Sequence, residues 1–124
     1  MEYFSIKATE ATPSIEFIPE DGLLVIQGRS HPENAKIFYN PLIEWCERYV
    51  EDPPEKTILR IQLEHFNTMT SKSLLDVFRT LSNIRNHNKE FTVDWYYESD
   101  DEELLDAGRT YQEITGLPFS MIPY

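Results

Sequence analysis

The sequence predicts an α/β fold in a single domain, residues 1–124: a mixed, mostly parallel sheet with about three helices and an N-terminal hairpin. Three observations carry that prediction. Apolar residues recur with period two in several short runs, and with helical period between the later ones. After an opening hairpin the order is helix, strand, helix, strand, helix, strand. That order requires crossover connections, which are right-handed and join parallel strands. The composition, 40% hydrophobic and 13% aromatic over 124 residues, suffices for one core that buries roughly two thirds of the unfolded surface.

Residues 3–7 (YFSIK) suit a short first strand, and Thr12-Pro13 then breaks the chain. Residues 15–18 and 23–27 read as a hairpin around a turn that ends in Asp21-Gly22. Ser30 and Glu33 have the spacing of a capping box, with Pro32 in the first turn, so a helix is expected from there to about Glu51. Pro41 makes it either one kinked helix or two short ones. Its apolar face is Leu42, Ile43, Trp45, Cys46, Tyr49 and Val50. Residues 57–66 alternate, with Leu59, Ile61, Leu63 and His65 expected on one face. A helix over 68–87 carries the stripe Leu74, Val77, Phe78, Leu81 and Ile84. A strand over 91–98 follows. The acidic run Ser99 to Glu103 opens a last helix, where carboxylates suit the positive end of the helix dipole. Gly116 is placed to stop that helix, and residues 119–122 suit a final strand.

The net charge of −11 argues against nucleic acid and against anionic membrane surfaces, both of which attract Lys and Arg. It suits protein partners with basic patches. No run of about 18 apolar residues is present, so no membrane insertion is expected. The N-terminus lacks the basic start of a signal peptide, so a cytoplasmic location is expected. The lone Cys46 excludes an internal disulfide and suits a small buried hydrophobe. Phosphate-binding glycine loops are absent. None of His31, His65 and His87 has a second His or Cys at metal spacing, and His65 is expected as a satisfied histidine at the edge of the core. Trp45 and Trp95 read as core. No catalytic residue, cofactor or metal ligand is predicted, so the chemistry points to binding rather than catalysis.

One stretch stands out. Between a strand pattern and a helix pattern lie Asn67, Thr68, Met69, Thr70, Ser71 and Lys72. Asn67 sits where an N-cap belongs, and short hydroxyls compete well for first-turn backbone groups. Helix capping therefore accounts for the cluster without any function. The functional reading is regulatory phosphorylation. A phosphate adds roughly −1.5 to −2 charges and three acceptor oxygens, and a helix N-terminus receives it well. The junction also lies at the carboxyl end of a strand, where sites of α/β sheets concentrate.

Several pieces resemble the SiaC family of bacterial regulatory phosphoproteins. They are Thr12-Pro13-Ser14-Ile15, Gly28 with Ser30, Pro32-Glu33-Asn34, Trp45 with Arg48-Tyr49, and Phe66-Asn67-Thr68 followed by Ser71-Lys72. The resemblance implies a fold similar to STAS domains, the fold of anti-sigma factor antagonists. It implies a switch in which a partner protein kinase modifies the Thr after the Asn and a PP2C-type phosphatase resets it. The unmodified protein would bind and regulate a target such as a diguanylate cyclase, in cyclic di-GMP signalling and biofilm formation. By position the modified residue is Thr68. Family members usually run Asn-Thr-Ser-Ser, whereas Met69 and Thr70 follow here, so Thr70 and Ser71 stand as alternatives. Asn67, Met69, Ser71, Lys72 and the loop Pro32, Glu33, Asn34 are the expected partner contacts. Two other functions fit the same sequence: a small-ligand or nucleotide-binding STAS-like module, and an anti-sigma factor antagonist in transcription control.

Overall fold

The computed structural model describes residues 1–124. Six strands form one sheet: β1 (Phe4–Ile6), β2 (Ser14–Ile18), β3 (Leu23–Ser30), β4 (Lys56–Phe66), β5 (Glu90–Tyr97) and β6 (Phe119–Pro123). Their order across the sheet is their order along the chain. β1, β2 and β3 pair antiparallel, and β3 to β6 pair parallel. The three crossovers between parallel neighbours are helices α1 (Ala35–Tyr49), α2 (Thr68–Leu81) and α3 (Glu102–Thr115). Each crossover moves one strand in the same direction. Three right-handed crossovers of that kind lay all three helices on one face.

The register shows the consequence. Ile15, Ile26, Ile61, Trp95 and Met121 are cross-strand neighbours, as are Phe17, Leu24, Leu59, Val93 and Phe119. These rows face the helices. Phe17 packs on Trp45 of α1, Trp95 on Tyr111 of α3, and Phe119 on Phe78 of α2. Gly108 of α3 lies so close to Trp95 that a Cβ there would sit 2.6 Å from the indole. The Trp95 indole N–H donates to the Leu104 carbonyl at 2.9 Å, which fixes α3 against β5. Gly116 ends α3 at φ 69°, as its position in the sequence predicts.

Several boundaries differ from expectation. The Ser30–Glu33 capping box does not form. β3 continues in phase through Ser30, and Asn34 caps α1 instead, accepting from the Ile37 N–H at 3.2 Å. Pro41 interrupts nothing: α1 is one helix. The carbonyl that Pro41 leaves free is that of Ile37, on the helix's water-facing side. The second helix stops at Leu81 and tightens into a 3₁₀ segment, Ser82–His87, closed by Asn88 in the left-handed region.

His65 also departs from prediction. The pairing of β3 with β4 slips between Gly28 and Arg29, so that Gly28 opposes Leu63 and Arg29 opposes His65. One extra residue, Glu64, reverses the alternation. His65 is therefore exposed and not at the edge of the core. Its ring stacks on His31, with 4.5 Å between centroids and 2.7 Å between His65 Nδ1 and His31 Nε2. No sequence spacing foretold this pair. It has no third residue placed to complete a metal site.

Candidate functional site

The hydroxyl cluster lies at the carboxyl edge of the parallel strands, where β4 turns into α2. Three bonds fix this turn. The Asn67 N–H donates to the Ser30 carbonyl at 3.1 Å, Asn67 Oδ1 accepts from the Thr70 N–H at 2.9 Å, and the Ser71 N–H returns to the Asn67 carbonyl at 3.1 Å. Asn67 is thus the N-cap its sequence position predicts.

Beneath the turn is a buried chain of hydroxyls. Ser30 Oγ lies 2.8 Å from both Tyr39 Oη and Thr70 Oγ1, and Thr70 donates to the Ser30 carbonyl at 3.1 Å. With that donation fixed, the remaining protons order head to tail, from Tyr39 to Ser30 to Thr70. Ser30, Tyr39 and Thr70 are fully buried. Burial pushes the Tyr39 phenol up to about 12, which keeps it a donor. On the other side of α2, Tyr111 donates to the Ser71 carbonyl at 2.8 Å, and its oxygen lies 2.9 Å from Ser71 Oγ. Burial raises the Tyr111 phenol as well. The end of β3 and helices α1 and α3 therefore converge on one helix start.

This geometry separates the three candidate hydroxyls. Thr68 is exposed, Thr70 is fully buried, and Ser71 is half-buried and bonded to Tyr111. The first turn of α2 holds no acidic residue. Lys72, one turn after Thr68, is exposed and makes no ion pair.

The expected partner contacts divide in the same way. Asn67 is half-buried by its capping duty, Met69 is 46% exposed, and Glu33 and Asn34 are exposed at the start of α1, which packs beside α2. Pro32 is buried. The sequence reading missed Ile37, 72% exposed on the first turn of α1. It also missed the roles of Ser30 and Tyr39. A signal for Ser30 was present: it falls in phase with the buried Leu24 and Ile26 of its strand. Cys46 is buried, and burial pushes its thiol up, out of reactive range. No helix is long and apolar enough to cross a membrane.

The chain resembles known proteins over nearly its whole length. The family model described as SiaC family regulatory phosphoprotein matches residues 6–124. An uncharacterized protein of Pseudomonas aeruginosa is 26% identical over 121 residues, 98% of this chain and 96% of that one. The solved SiaC of Pseudomonas aeruginosa superposes with a TM-score of 0.89 at 27% identity, covering 100% of both chains. A crystal structure of the diguanylate cyclase SiaD in complex with its activator SiaC, from the same organism, matches with a TM-score of 0.90. That match is 26% identical over 98% of this chain and 99% of the other.

Proposed function

The chain belongs to the SiaC family of regulatory phosphoproteins, and on that premise we propose that it is a signalling switch whose phosphorylated residue is Thr68. It is a regulatory protein, not an enzyme. A partner kinase adds the phosphate, a PP2C-type phosphatase removes it, and the unmodified form binds and regulates a target such as a diguanylate cyclase. The observation that carries the choice of residue is exposure: of the three hydroxyls in the first turn of α2, only Thr68 is both open to solvent and free of a side-chain bond.

The physics follows from the helix end. A phosphate on Thr68 lies at the positive end of the α2 dipole, in a turn that holds no carboxylate. Lys72, four residues on, lies on the same face of the helix and supplies a counter-charge. Asn67 and Thr70 stay bonded to Ser30, so the core does not move. What changes is the surface. The partner face consists of Glu33 and Asn34 just before α1, Ile37 on α1, and Met69 and Lys72 on α2. Phosphate at its centre places roughly two negative charges beside exposed apolar side chains. A partner that buries Met69 and Ile37 would have to desolvate that charge, and binding is lost. The support for a cyclase as target is the relative crystallised with one.

The test is phosphopeptide mapping of the protein from its native host, followed by binding assays. Phosphate is expected on Thr68. Thr68→Ala should bind the target and resist the kinase, and Thr68→Glu should weaken target binding tenfold or more, about 1.4 kcal/mol. Target binding by Thr68→Glu at wild-type strength would overturn the reading.

A further inference from the structure

The face of the sheet opposite the helices is bare. Parallel strands are almost always covered on both faces, yet here β3, β4, β5 and β6 expose one side. That side carries Leu23, Val25, Ile58 and Tyr96. Across its middle, the register lines up Glu16, Val25, Arg60, Asp94 and Ser120 in one row.

Two members of this row have no oppositely charged partner within the chain. Arg60 and Asp94 are direct cross-strand neighbours, but no ion pair joins them. The Arg60 guanidinium lies over the Tyr96 ring, 5.6 Å from its centroid, and its Nε is buried without an acceptor. Asp94 has no hydrogen-bond or ion-pair partner among the side chains. Glu16, the other acid of the row, is already engaged by the hydroxyls of Tyr3 and Ser5.

We infer that this open face is a homodimer interface, in which Arg60 of each copy pairs with Asp94 of the other. The charge pattern selects the occupant. An acidic partner would satisfy Arg60 and repel Asp94, and a basic one would do the reverse. A second copy satisfies both. A two-fold axis along the strands, between β4 and β5, sets Arg60 opposite Asp94 twice over, with Val25 facing Ser120. Such an isologous contact uses one patch on both subunits. It matches aligned sheet-on-sheet packing, in which strand directions stay within about 30°. The inference stands apart from the phosphorylation switch, since the face holds none of the α2 residues.

The experiment is the mass of the full chain in solution, by sedimentation and light scattering over a wide concentration range. Wild type should reach twice the chain mass. Arg60→Asp puts two acids in each contact and Asp94→Arg puts two bases there, so each variant alone should lose the dimer. Mixing the two should restore it, because every contact in the mixed dimer then joins opposite charges. Circular dichroism checks that each variant is folded, and Arg60→Gln with Asp94→Asn serves if the reversals are not. A wild-type mass of one chain at every concentration overturns the inference. So does a dimer that survives both reversals, or a mixture that stays monomeric.

Discussion

Helices α2 and α3 begin alike and differ in the three residues that follow the cap. Each has an Asx cap whose side chain accepts from the third helical N–H at 2.9 Å: Asn67 to Thr70, and Asp101 to Leu104. After the cap, α3 runs Glu102, Glu103, Leu104, whereas α2 runs Thr68, Met69, Thr70. In α3 the helix dipole is met by two built-in carboxylates and the third residue is an apolar anchor. In α2 the dipole is met by none, and the anchor is a hydroxyl bonded across the sheet edge to Ser30. The chain carries 22 acidic residues against 11 Lys and Arg, yet puts none in the first turn of α2, nor in that of α1. One start is finished by its own sequence; the other has room for a charge added later.

The anchors give the largest expected effects. Leu104→Ala should cost about 2–4 kcal/mol, through lost burial and a residual cavity. Thr70→Val should cost about 1–3 kcal/mol, since Ser30 Oγ then loses its acceptor in a dry site. Both are read from urea unfolding. A Thr70→Val variant as stable as wild type would mean that the hydroxyl chain holds nothing together. The caps come next. Asn67→Ala and Asp101→Ala should each cost about 1 kcal/mol, with the Asp101 change fading in high salt because its cap is charged. The smallest effects sharpen the comparison most. Thr68→Glu should stabilise the fold by about 0.3–1 kcal/mol, and Glu102→Thr should destabilise it by a similar amount, because each exchanges one helix start for the other. If Thr68→Glu is destabilising instead, the α2 start does not welcome an anion and the switch has lost its physical basis.

Local signals were legible in the sequence and long-range ones were not. Asn67 as a cap, Gly116 as a stop and the alternation of β4 through Leu63 follow from near neighbours, and the structure shows each of them. Ser30 was misread because the spacing to Glu33 suggested a local bond, while its partners lie 9 and 40 residues away. His65 was misread because a single inserted residue in β4 reverses the faces, and nothing in the sequence marks the slip. The burial of Thr70 was hidden for the same reason as Ser30: each explains the other, and neither explains itself. The family resemblance pointed to Thr68 and left two neighbours open. Their distinction by exposure became visible only once α1, α3 and β3 were in place around them.

The order of the strands has a further meaning for how the molecule is made. Because every strand pairs with the one synthesised just before it, the growing chain never has to leave a gap in the sheet for a later segment. Each finished strand exposes its edge only until the next helix and strand leave the ribosome, and each helix arrives in time to cover the strands already paired. Folding can follow translation from one end to the other. The last helix to emerge is α3, whose Gly108 seats on Trp95 and whose Tyr111 ties down Ser71. The start of α2 is therefore held in its final place only after α3 has emerged.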